Sequence, residues 1–158
     1  MSPARDALRE TFAELDAIRR AERRAVMATL VAAQGTTPRK EGAKMWVGAD
    51  GRVLGAVTIG GCVDARVLEA SEGVLASGVP TLLSLDLSDS DAWEIGLTCG
   101  GAVDVRIEPV RLAEAGDPVM RAYDVARTER QAGRRAVIVA PLAGEVARLV
   151  VREDASID

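Results

Sequence analysis

The sequence predicts an α/β or α+β domain, a mixed β-sheet with helices packed on it. Three observations predict it. Apolar residues recur at helical spacing in three segments, apolar runs of strand length stand between those segments, and Gly, Pro and Asp-Gly steps mark the boundaries. The 158 residues are about one domain long and large enough for a hydrophobic core without staples, so residues 1–158 are read as a single compact domain. No linker, repeat or low-complexity stretch interrupts it. Because aromatics make up only 3% of a chain that is 48% hydrophobic, the core is expected to be mostly Val, Leu, Ile and Ala.

Each element follows from its own pattern. Ser2 can cap a helix with Pro3 at its first position, and Leu8, Phe12, Leu15 and Ile18 then mark one face to about Arg23. Ala25–Ala33 is a continuous apolar run, as expected of a strand buried on both faces. After the polar loop QGTTPRKEGAK, Lys44–Val47 and Arg52–Val57 flank a Gly-Ala-Asp-Gly turn and read as a hairpin. Val63, Val67, Ala70, Val74 and Leu75 form a helical face that begins right after Gly60-Gly61 and stops at Gly78 and Pro80. Thr81–Leu87 and Val103–Ile107 read as strands, with Leu97–Gly101 leading into the second. Asp117-Pro118 starts a helix carrying Val119, Met120, Tyr123 and Ala126, closed by Gly133. Ala136–Ala140 and Glu145–Val151 make a last strand pair, and Glu153–Asp158 reads as a frayed end.

Composition removes whole classes of function. The chain has no histidine, which excludes Ser-His-Asp and Cys-His mechanisms within it and makes a zinc site improbable beside two distant cysteines. With a net charge of −4 and no basic stripe carrying aromatics, it is not expected to bind nucleic acid. Neither GxGxxG nor GxxxxGK[ST] occurs. The N-terminus lacks the apolar core of a signal peptide and no run reaches membrane-spanning length, so a cytoplasmic protein with free thiols is expected.

What remains for chemistry is concentrated in three loops: Gly35–Met45, Ile59–Cys62 and Thr98–Gly101. Each adjoins a strand, so they can meet at one edge of the sheet. Together they offer Arg39, Lys40 and Lys44 as cations, Thr36, Thr37, Thr58 and Thr98 as donors, and the backbone of Gly60-Gly61 and Gly100-Gly101. Such a set suits a phosphate with an attached polar ring system. Cys62 stands at a helix start, where the helix dipole favours a thiolate. The plainer alternatives are a solvated charged loop, ordinary turn geometry and a buried structural thiol.

The series Gly35-Thr36-Thr37-Pro38-Arg39, Gly42-Ala43-Lys44-Met45, Asp50-Gly51, Gly60-Gly61-Cys62-Val63-Asp64 and Gly96-Leu97-Thr98-Cys99-Gly100-Gly101 resembles, in order and spacing over residues 25–109, the N-terminal domain of the XdhC/CoxI family. The resemblance implies a molybdenum-cofactor accessory protein. Such a protein holds the molybdopterin-based cofactor as cargo during maturation and helps deliver it to an enzyme of the xanthine dehydrogenase or carbon monoxide dehydrogenase type. It implies a cofactor chaperone rather than a turnover enzyme, and a homo-oligomer. Thr37, Arg39, Lys44, Gly60, Gly61, Cys62, Thr98, Cys99, Gly100 and Gly101 would bind the cofactor, with Cys62 able to coordinate molybdenum or carry sulfur. Longer members resemble a two-part protein with a Rossmann-like C-terminal half; this chain is expected to lack that half, or to meet it as a separate partner chain. The competing reading is a thiol enzyme or redox switch using Cys62 and Cys99, and a third is a module that only docks a partner.

Overall fold

The apolar run beginning at Ala25 organises the sheet. In the computed structural model, which describes residues 3–35, 39–58, 61–86 and 101–158 and the side chains from residue 10 onward, it becomes β1 (Ala25–Gly35), the middle of five strands. On one side lie β2 (Lys44–Gly48) and β3 (Val53–Gly55), and on the other β5 (Gly101–Val110) and β4 (Thr81–Asp86), in the order β3-β2-β1-β5-β4. All four ladders are antiparallel. That pairing settles the open choice of class as α+β. β3 and β4 run the same way, joined by a helical crossover, but three strands stand between them and no parallel ladder forms among the described residues.

Helices cover both faces. α2 (Cys62–Ser77) lies on one, where Val26, Ala28 and Leu30 of β1 and Val103, Val105 and Ile107 of β5 meet Val63, Val67 and Val74. On the other face α1 (Pro3–Ala21) and α3 (Pro118–Gln131) bring Phe12, Leu15, Ile18, Val119, Met120 and Tyr123 onto Ala25, Met27 and Trp46. The alternation of β1 between these two sets is why an unbroken apolar run was needed there. Ser2 and the side chain of Leu8, invoked for the start of α1, lie outside the described residues.

The boundaries have local causes. Gly78, with φ 70°, closes α2 as its N–H donates to Val74 O. Asp117 caps α3, its Oδ1 accepting from Val119 N (2.9 Å) and Met120 N (3.1 Å) while Oδ2 accepts from Arg111 N (2.9 Å). β3 ends at Gly55 rather than at Val57: Gly55 turns with φ 72°, and the N–H groups of Val57 and Thr58 donate to Asp64 instead of to a strand.

β6 (Ala136–Val139) and β7 (Leu149–Arg152) form a separate two-stranded antiparallel sheet. The last strand begins four residues later than the sequence pattern suggests. Its preceding segment is occupied elsewhere, since Arg106 Nη1 and Nη2 donate to Leu142 O (3.2 Å) and Gly144 O (2.7 Å). Arg148, in the same segment, pairs with Glu108, whose side chain is only 1% exposed. Charges at alternate positions of β5 look like a solvent face in sequence. In the fold they form a buried Arg106–Glu108–Arg148 network that fastens the 141–148 segment to the sheet. Among the described residues no helix is long and apolar enough to cross a membrane.

Candidate functional site

The strand directions bring the described flanks of the three loops to one end of the sheet. β1 and β5 finish their ladder there with Gly35 opposite Gly101, β4 reaches the same end at Asp86 opposite Ala102, and Lys44 and Gly55 mark it on β2 and β3. Gly101 is needed for that closure. A Cβ on it would stand 2.0 Å from Gln34 O, and its φ is 149°. α2 also starts at this end, because it follows β3 and runs back towards the start of β4.

Two of the expected cations sit together on the α1 side. Lys44 Nζ lies 3.4 Å from Thr29 Oγ1 and 3.3 Å from Gly42 O. Burial pushes its ammonium down to about 8, and Arg148 acts in the same direction while Glu108 and Glu14 oppose. Arg39 is half-buried, and its charge acts on Glu14 of α1. Burial raises the Glu14 carboxyl above the usual carboxylate range and Glu10 adds to this, while Arg39 and Lys44 pull it down. Glu14 is held close to the strands: a Cβ on Gly55 would stand 2.5 Å from Lys44 O and 2.9 Å from each Glu14 carboxylate oxygen. Lys40, by contrast, is exposed.

Cys62 opens α2 on the opposite face of the sheet. It is a free, half-buried thiol packed against the core beneath α2, neither sealed inside nor fully solvent-borne. The N-cap before it is Gly61, with φ 91° and no side-chain cap. Asp64, in the first turn, accepts from Val57 N (3.2 Å) and Thr58 N (3.1 Å), which ties the approach loop to the helix start. A helix start with a glycine cap and a thiol at its first position is suited to an anion or a soft metal centre.

Of the ten residues expected to bind, Arg39, Lys44, Gly61, Cys62 and Gly101 are described and lie at this end of the sheet. Thr37, Gly60, Thr98, Cys99 and Gly100, with Thr36, lie outside the described residues. Sequence reasoning missed Glu14 and Asp64. Glu14 looks like any polar-face position of an amphipathic helix, and nothing in its neighbours marks it; Asp64 carried a weak signal, an acidic residue in a helical first turn after Gly-Gly. Among the described residues no group of three or more potential acidic or sulfur ligands gathers for a metal. A cavity of about 840 Å³, lined by Arg24, Val79, Pro80, Arg111 and Glu145 among others, lies at the other end of the sheet, where β1 begins and β5 ends.

These features define an α+β domain that gathers its half-buried cations and a thiol-bearing helix start at one sheet end. Residues 18–86, from the end of α1 through β4, match the model of the XdhC and CoxI family. A probable xanthine dehydrogenase subunit from Bacillus subtilis is 33% identical over 98 residues, 61% of this chain and 29% of that protein. The molybdenum cofactor insertion chaperone PaoD of Escherichia coli is 34% identical over 91 residues, 57% of this chain and 28% of PaoD. A crystal structure described as a xanthine dehydrogenase from Bacillus halodurans superposes with a TM-score of 0.70 at 26% identity, over 91% of this chain and 43% of that one. The chain spans under a third of the length of both curated relatives.

Proposed function

We propose that this chain is an accessory protein for the molybdenum cofactor, a chaperone that binds the cofactor as cargo during maturation and assists its insertion into an enzyme of the xanthine dehydrogenase or carbon monoxide dehydrogenase type. The observation that carries the reading is the family-matching region 18–86 itself, which contains Arg39, Lys44, Gly61 and Cys62 at a single sheet end. Likeness to PaoD, a cofactor insertion chaperone by name, supports the same reading.

The donor set fits the cargo. A phosphorylated pterin carries an oxyanion suited to Arg39, Lys44 and the α2 start, and a sulfur-ligated metal suited to a thiol. Thr37, Gly60, Thr98, Cys99, Gly100 and Gly101 complete the proposed binding set, and Cys62 is the proposed molybdenum ligand or sulfur carrier. The reading takes in a cytoplasmic site of action, self-association, and a Rossmann-like partner region in this or a separate chain. It is tested by purifying the protein from a cofactor-producing host and from a cofactor-deficient one. Fluorescence of the oxidised pterin, with mass spectrometry, should find cofactor only on protein from the first. Equal, background-level pterin on both would overturn the reading.

A further inference from the structure

The carboxylate of Glu14 is laid across the backbone of β2 and β3 at the end of the sheet where the two half-buried cations stand. Gly55 makes the placement possible: any side chain there would meet Lys44 O at 2.5 Å and both Glu14 oxygens at 2.9 Å. A carboxylate admitted by a glycine to the neighbourhood of Lys44 and Arg39 is an odd component for a site that recognises an anion, since it opposes the ligand whenever it is ionised.

We propose that Glu14 is the specificity-determining carboxylate of the Arg39–Lys44 pair, admitting a doubly charged oxyanion only together with a proton. This rests on the reading of that sheet end as the phosphate-recognising part of the site. Free protein keeps Glu14 as the counter-charge of the two cations. When a phosphate-type dianion takes the cations, Glu14 loses their field and faces a new negative charge, so it takes a proton from solvent and becomes a neutral neighbour. Affinity for a dianion then rises as pH falls.

Among the described residues, the charged groups that act on Glu14 fit this arrangement. Glu10 of α1 pushes the carboxyl towards its neutral form, and burial does so more strongly. Arg39 and Lys44 pull it the other way, a pull that a ligand engaging them would remove. Further in, Glu108 and Arg148 act on Lys44, and both, with Glu14, act on Tyr123 of α3. Burial pushes the Lys44 ammonium down only to about 8, so a window below pH 7 separates Glu14 from it.

The test uses inorganic sulfate, which stays a dianion across that window, titrated into the full chain at pH 5.5 and pH 7.0 and followed by NMR shifts or thermal midpoint. One linked proton gives at most about a tenfold change per pH unit. Wild type should bind sulfate roughly 3-fold to 10-fold more tightly at pH 5.5, Glu14→Gln should bind equally at both pH values and as tightly as wild type at the lower, and Glu14→Asp should show a displaced pH midpoint. An unchanged pH slope in Glu14→Gln and Glu14→Asp, with sulfate binding still weakened by Arg39→Ala and not by Arg111→Ala, would overturn the role of Glu14 alone. Sulfate binding insensitive to Arg39→Ala would overturn both this inference and the phosphate-recognition reading beneath it.

Discussion

Cys62 and Lys44 are half-buried for different reasons, and their substitutions separate binding from folding. Cys62 contributes modest packing at the first turn of α2, so Cys62→Ser should change unfolding free energy by no more than about 1 kcal/mol while lowering the amount of pterin that co-purifies. Equal retention at matched stability would remove the thiol from the site. Lys44 is held charged against a desolvation cost. Its folded pKa of about 8 lies below its ordinary 10.5, so the unfolded chain binds more protons between those values. The cost is therefore fully present below about 8 and is relieved as pH rises towards 10.5. Lys44→Met should be more stable than wild type at pH 7, and the difference should shrink between pH 8 and 10.5 in paired denaturant titrations. A difference constant across that range would show that the ammonium is solvated.

At the scale of elements, boundaries are set by single polar groups and glycines. Asp117 serves three backbone N–H groups, two at the start of α3 and one at Arg111, and is itself 2% exposed. Asp117→Ala should cost about 2 kcal/mol, at the upper end for an N-cap because the donors it leaves are buried; Asp117→Asn should recover much of the loss in thermal unfolding. A cost near zero for the alanine variant would mean that water replaces the cap. α3 was legible from Asp-Pro and its apolar spacing, as α2 was from Gly-Gly and Gly78, because caps are chemistry local to a few residues. The end of β3 and the start of β7 were not legible in this way. Both depend on partners distant in sequence: Asp64 takes the N–H groups after β3, and Arg106 takes the carbonyls before β7.

For the whole molecule, the Arg106–Glu108–Arg148 network joins the second sheet's approach segment to the first sheet. Glu108 is shared by both arginines in a nearly solvent-free place, so removing it leaves two buried charges without their counter-ion. Glu108→Ala should cost about 3–5 kcal/mol, measured by denaturant unfolding, and should release the 141–148 segment to faster amide exchange. A loss below about 1 kcal/mol with unchanged exchange would mean that β6 and β7 are held by the α3 contacts alone. Such a network cannot be read from Asp-Val-Arg-Ile-Glu in β5, where alternating charge is the ordinary mark of a wet strand face.

The sequence by itself determined the helices, the strands and the run of β1, because periodicity and punctuation act over a few residues and each element carries its own. It also excluded histidine chemistry and drew attention to Arg39, Lys44 and Cys62. Only the tertiary structure decided that the ladders are antiparallel, that the cations and the thiol stand on opposite faces of one sheet end, and that Glu14 lies among the cations. Those are outcomes of which strands pair and which helix covers which face. They are fixed by burial summed over contacts between residues far apart in the chain, a quantity that no local pattern contains.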